Sequence, residues 1–242
     1  MSVKLTFVGT SHGIPEADRF CTSMFLQVGE NVYIVDAGGP VSPMLLRFGL
    51  THEAVKGVFI THLHGDHFDG LFEFCDQLGW RYLEADPKIL FPEEKGVRLF
   101  KYYMNTVSTT KRELDLGAYD EGKIFEDEKI SVTAIPTDHS NLPSYAFQVT
   151  AEGKKILFSG DMNAEFSEYD RLFADKEYDL VVFEGAHANL LGNADIIGSV
   201  KMKQMVINHL YSYRNPENEL IKLAEALPFE FIAATDGMSL EI

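Results

Sequence analysis

Short apolar runs separated by turns fill the first quarter of the chain. Their spacing predicts strands over 4–8, 23–28 and 31–36, the last closed by Asp36-Ala37-Gly38-Gly39-Pro40. A short helix is expected over 44–48, followed by an apolar run at 57–60. Leu71, Phe74, Cys75 and Leu78 then recur at helical spacing, which predicts a helix over 68–78. A strand at 89–91 stops before Pro92, and a helix is expected over 93–105. From 111 to 128 the chain is charged and broken by Gly117 and Gly122, as in a loop or weak strand. Strands return at 130–135, 144–149, 155–159, 180–184, 205–209 and 229–234, with helices over 166–175 and 215–227. Strand clusters interrupted by helices in both halves suit an α/β protein with two sheets packed face to face and helices outside. With no repeat, low-complexity tract or linker, residues 1–242 read as a single domain.

The densest chemistry follows the run at 57–60. In Thr61-His62-Leu63-His64-Gly65-Asp66-His67, three histidines and an aspartate fall within six residues. Imidazole nitrogen and carboxylate oxygen suit zinc and neighbouring divalent metals. In an extended segment His62 and His64 point to one side, so one metal can be gripped by both. As the chain turns, Asp66 and His67 can face a second position. A single metal rarely takes four ligands from so short a run, so the spacing favours two adjacent metals.

Composition narrows the partners. Hydrophobic content of 45% and charged content of 24% are those of an ordinary globular protein, and no apolar run approaches the length needed to span a bilayer. Cys21 and Cys75 give neither a disulfide framework nor a Cys-x-x-Cys pair, so a reducing cytoplasm is the expected compartment. The 37 acidic residues against 21 basic leave a formal charge of -16. Long nucleic acid normally meets a basic footprint, so a small ester or a short nucleic acid is the expected substrate, with no membrane partner.

The run at 62–67 resembles the His-x-His-x-Asp-His signature of the metallo-β-lactamase superfamily, a set of mostly dinuclear metallohydrolases. That resemblance implies a four-layer αββα sandwich. It also carries three further positions, each just past an apolar strand: His139 in Thr137-Asp138-His139-Ser140, Asp161 in Ser159-Gly160-Asp161, and His209 in Asn208-His209. On this pattern His62, His64 and His139 hold one metal, Asp66, His67 and His209 the other, and Asp161 bridges them. The ions are expected to be zinc, with manganese or iron as alternatives, and to activate a hydroxide between them; Asp66 is then placed to orient or deprotonate the attacking water. Asp36 matches an aspartate that supports the site without ligating, by accepting a ring hydrogen from a metal-bound histidine. No ligand role falls to His12, His52 or His187; His12 is a candidate to support the site or touch substrate, and His187, after a strand, is either within reach of the substrate or an ordinary loop histidine.

Within the superfamily, Gly9-Thr10-Ser11-His12-Gly13-Ile14-Pro15 resembles the opening of the ribonuclease Z-like and related phosphodiesterase branch. His209-Leu210-Tyr211-Ser212-Tyr213-Arg214 is similar to that branch's closing motif, and Arg214 is a candidate to grip a phosphate oxygen. Transfer-RNA-processing members carry a long arm between the third histidine and the bridging aspartate. Here His139 and Asp161 lie 22 positions apart, which leaves no room for it. The expected activity is therefore hydrolysis of a small phosphodiester or short RNA, with thioester or lactone hydrolysis as the rival on the same ligands. Tyr102, Tyr103, Phe100 and Met104 cluster in 80–122, a segment read as a substrate-facing insertion, a homodimer contact or simply core.

Overall fold

A computed structural model describes residues 2–14, 16–107 and 112–242. The first sheet opens as a meander of β1 (Val3–Gly9), β2 (Ser23–Val28) and β3 (Asn31–Ala37), then adds β4 (Val55–Phe59), β5 (Lys88–Phe91) and β6 (Leu116–Ala118) in parallel. Parallel neighbours need a crossover. Here α1 (Val41–Arg47), α2 (Leu71–Trp80) and α3 (Glu94–Val107) supply the three.

The second sheet repeats the scheme. Strands β7 (Gly122–Glu126), β8 (Ile130–Pro136), β9 (Tyr145–Ala151) and β10 (Lys154–Phe158) run antiparallel. Then β11 (Glu177–Gly185), β12 (Lys201–Leu210) and β13 (Glu230–Ala233) follow in parallel, joined through α4 (Tyr169–Phe173), α5 (Ala194–Gly198) and α6 (Glu217–Ala226). A last strand, β14 (Ser239–Glu241), returns to pair with β1. The two sheets read β14-β1-β2-β3-β4-β5-β6 and β13-β12-β11-β10-β9-β8-β7, so β14 occupies in one the place that β7 holds in the other.

Three apolar layers separate these elements. Leu5, Phe7, Tyr33 and Phe59 of one sheet meet Val132, Phe147, Phe158 and Val206 of the other. Val58, Leu71, Phe74 and Phe100 seal the first sheet against its helices, and Leu157, Leu172, Val181 and Leu223 seal the second. The result is the expected αββα order. Because the sheets are covered on both faces, the central parallel strands read as continuous apolar runs.

The differences from the sequence reading have local causes. The helix expected over 166–175 shrinks to α4 because Phe166 and Asp175 adopt φ of 55° and 57°, left-handed values that a helix of L-residues does not continue. Helix α2 starts at Leu71 rather than 68, since Gly65–His67 forms a separate 3-10 turn. The charged segment 111–128 supplies the short strands β6 and β7, while α5 and β14 are too short for periodicity to reveal. Pro15 and Lys111, named in the sequence reading, lie outside the described residues. Phe100 and Met104 of α3 pack into core, whereas Tyr102 is 73% exposed. His52 is a core histidine, stacked 3.5 Å from Tyr82 and bonded to Ser42. Among the described residues no helix is long and apolar enough to cross a membrane.

Phe59 is fully buried between the sheets, edge-on to Phe125 and Phe147. Phe59→Ala is expected to lower unfolding free energy by about 3–5 kcal/mol, read from urea denaturation at fixed metal content.

Candidate metal centre

The parallel strands of both sheets end at one edge, and every expected site residue lies there. Beyond β4 the chain leaves regular pairing and is caught by Asp36. Its Oδ1 accepts from Thr61 N at 2.8 Å, and both carboxylate oxygens accept from Thr61 Oγ1 at 3.0 Å. Asp36 can do this because it is a bulge: the β2–β3 register jumps from Met24–Val35 to Ser23–Ala37, leaving Asp36 unpaired at φ 55°. Gly38 is obligatory next to it, since a Cβ there would sit 1.7 Å from Asp66 O. On the other sheet His209 is the matching bulge, at φ 50°, where the β11–β12 register skips from Glu184–Asn208 to Gly185–Leu210.

These constraints bring two sets of donor atoms together. His62 Nε2 lies 2.9 Å from His64 Nδ1, and His139 Nε2 lies 3.2 Å from the same atom. Asp161 Oδ2 closes the group at 3.7 Å from His62 and 3.6 Å from His139. A tetrahedral ion with bonds of the usual zinc length separates its ligands by about 3.3 Å, so four atoms at these spacings fit a divalent cation. The second set is Asp66 Oδ2, 3.5 Å from His67 Nε2 and 3.9 Å from His209 Nε2. Asp161 reaches this set as well, with Oδ1 at 3.4 Å from His67 and Oδ2 at 3.4 Å from His209. His67 Nε2 and Asp161 Oδ1 are buried without a hydrogen-bond partner among the described residues. Buried polar atoms left open in this way are what a ligated cation would satisfy.

Hydrogen bonds behind the rings fix which nitrogen faces inward. Asp36 Oδ2 accepts from His67 Nδ1 at 2.8 Å, so Nε2 is the free atom. Thr22 Oγ1 donates to Ser11 O at 3.2 Å and therefore accepts from His209 Nδ1 at 2.7 Å, which again frees Nε2. The loops are tied in the same manner: the fully buried Glu168 accepts from Asp138 N and Asn163 N, linking the segments that carry His139 and Asp161.

Electrostatics favour ligation. Burial holds His62 well below the ordinary imidazole range, helped by the charge of His67, and lowers His139; it brings His209 down to about 4. All three are thus neutral at physiological pH, with lone pairs available. Burial opposes charge on Asp161 and on His67, yet each offsets that penalty for the other, so the Asp161 carboxyl is held well below its usual range and the His67 imidazole well above its own. Asp161 is an anion among imidazoles.

An open cleft of about 320 Å³ leads to these atoms, lined by His12, Gly13, His64, Asp66, Asp161, Ala186, His187, His209, Tyr211 and Arg214. His12 stands edge-on to Tyr211, and the Arg214 guanidinium donates to His187 O. His187 carried no ligand role in the sequence reading, only a place after a strand from which it could reach the substrate; its Nδ1 lies 3.7 Å from Asp161 Oδ2 and 3.4 Å from Glu184 Oε2. Glu184 is buried and accepts from Ala186 N and His187 N, so it shapes the turn that presents His187. The signal for His187 was its place just past an apolar strand, while Glu184 lies within the end of that strand. Gly9-Thr10-Ser11-His12-Gly13 also has the Gly-x-Ser-x-Gly spacing of serine hydrolases. Ser11 is buried, however, its hydroxyl donates to Ile14 O, and among the described residues no helix follows before β2.

Known proteins resemble this chain in sequence and in fold. Residues 3–220 match the family model described as Anti-Pycsar protein Apyc1. The chain is 36% identical over 152 residues to ribonuclease Z of Geobacillus kaustophilus, covering 61% of this chain and 48% of that protein. It thus spans about half the length of the curated relatives it matches. Among solved structures, the metallo-β-lactamase fold protein YhfI from Bacillus subtilis superposes with a TM-score of 0.82 at 19% identity over 100% of both chains. A diphosphatase from the PhnP family superposes at 0.72, with 17% identity over 99% of this chain and 98% of that one. The chain therefore has the fold of these metallo-β-lactamase fold neighbours, is similar to ribonuclease Z over part of its length, and belongs to the Anti-Pycsar protein Apyc1 family.

Proposed function

We propose that the centre holds two divalent cations and hydrolyses phosphodiester bonds in a small substrate or short RNA. His62, His64 and His139 would hold one ion, Asp66, His67 and His209 the other, and Asp161 would serve both. The observation that carries this reading is the single buried carboxylate of Asp161, within 3.4–3.7 Å of ring nitrogens from both sets. Zinc suits a histidine-rich donor set, and manganese or iron accept the same ligands. Cations held there would lower the pKa of a water toward neutrality and offset negative charge developing on a phosphoryl group.

The chain's own residues supply the rest. Asp66 is the least enclosed carboxylate of the centre and faces the cleft, where it accepts the proton of the attacking water. His187, braced by Glu184, lines the cleft beside Asp161 and can donate a proton to the leaving oxygen. Arg214 places a positive fork at the mouth, suited to a phosphate oxygen. A formal charge of -16 repels long polyanions, so this local cation favours short substrates. The relative named ribonuclease Z and the neighbour named a diphosphatase support a phosphorus centre over a carbonyl one.

Asp161→Ala is expected to empty both sites, measured by elemental analysis after dialysis; retention of two equivalents would break the shared-carboxylate assignment. Thr22→Val removes the acceptor behind His209 and should weaken metal binding about 10–100-fold in chelator competition, with Thr22→Ser restoring it. Asp66→Asn should cut turnover of bis(p-nitrophenyl) phosphate by about 10²-fold or more while metal content falls less. Equal losses would reduce Asp66 to a ligand alone. Turnover of a thioester or lactone but of no phosphodiester would overturn the proposed reaction.

A further inference from the structure

One cleft histidine stands outside both ligand sets yet within reach of them. The His187 ring lies beside two of their members, edge-on to His139 at 4.6 Å and stacked on His209 at 5.7 Å. Its Nδ1 is 3.7 Å from Asp161 Oδ2, and His209 Nε2 is 3.4 Å from the same oxygen. The donor atoms of Asp161, His187 and His209 all lie within 4.8 Å of one another, a third cluster that overlaps the second set. His187 Nδ1 is also buried with no hydrogen-bond partner among the described residues. Three protein donors and a water suffice for a four-coordinate zinc. Exposure ranks these donors from the cleft inward. The His187 side chain is 33% exposed, against 13% for Asp66 and 4% or less for His209, Asp161 and His67. Donors buried to that degree need a route by which a cation reaches them.

We propose that His187, Asp161 and His209 form a capture seat that takes a divalent cation from the cleft and passes it to Asp66, His67 and His209. This rests on the two-cation reading of the centre. Asp161 and His209 belong to both clusters, so the ion keeps two ligands while it exchanges His187 for Asp66 and His67. Sharing also makes the two positions mutually exclusive. The seat is therefore a step on the way in, not a third resident site, and it leaves the His187 imidazole free once the inner position is filled.

The test is the rate of zinc uptake by metal-free protein and of zinc release into excess chelator, both by stopped flow with a fluorescent zinc indicator. His187→Gln keeps a long polar side chain but is a poor zinc ligand. It should slow uptake and release alike by about tenfold while equilibrium zinc affinity stays within about twofold. Equal slowing in both directions marks the loss of an intermediate, whereas loss of a resident ligand speeds release. His187→Cys, which restores a zinc donor, should recover most of the rate. Unchanged rates in His187→Gln, or faster release with weakened affinity, overturn the seat. Zinc titration of the wild type separates the two claims. Two equivalents with rates that ignore His187→Gln fail the seat alone. Fewer than two equivalents fail the two-cation reading, and slowed exchange of the ion that does bind still supports the seat.

Discussion

A buried carboxylate must be paired, and Asp161 is paired with imidazoles from both sheets. With 2% of its surface exposed, it faces His62 and His67 from the first sheet's edge and His139 and His209 from the second's. Stranding such an anion among apolar neighbours would cost several kcal/mol. Its position therefore ties the two halves of the molecule at the edge where the donor atoms gather. Other bonds cross the same seam: Tyr145 N donates to Thr61 O, and Leu210 N to Thr10 O.

The repeated strand scheme explains why the donors meet. In each half an antiparallel meander leads into parallel strands, and parallel strands end on the same side. Backbone that stops pairing there frees side chains to converge, at the cost of N–H and C=O groups that need other partners. Asp36 and Glu168 meet that need with carboxylates, Thr22 with a hydroxyl and Asn215 with an amide. The left-handed bulges at Asp36 and His209 belong to the same solution, since each turns out of its ladder a side chain that would otherwise point into a sheet face. Strain of that kind persists only where the surroundings over-determine it.

Charge and aromatic character divide the cleft. The centre collects histidines and carboxylates, whereas the rim carries Arg214 and Tyr211 on a turn anchored under the surface. Cations, not the protein's own acidic surface, would have to draw an anionic substrate inward, which links substrate size to the overall charge of -16.

The His-x-His-x-Asp-His run was legible because four donors within six residues need no tertiary information to be adjacent. His139, Asp161 and His209 were legible through the family resemblance, with which their places just past apolar strands agree. Helical and strand periods made the elements of both halves legible, while the four-layer order came from the family resemblance, because periodicity alone does not choose how layers stack. The structure alone decided what depends on register. The pairing of Asp36 with His67 across 31 positions requires a bulge that no residue pattern announces. The place of His187 beside Asp161 depends on a turn built by Glu184, and the inward nitrogen of His209 depends on a threonine from a distant segment. The return of β14 to the first sheet is equally silent in sequence, because three residues carry too little periodicity to name a partner. Local chemistry is written in neighbouring residues; the choice of which atom faces the site is made by hydrogen bonds between segments that only folding brings together.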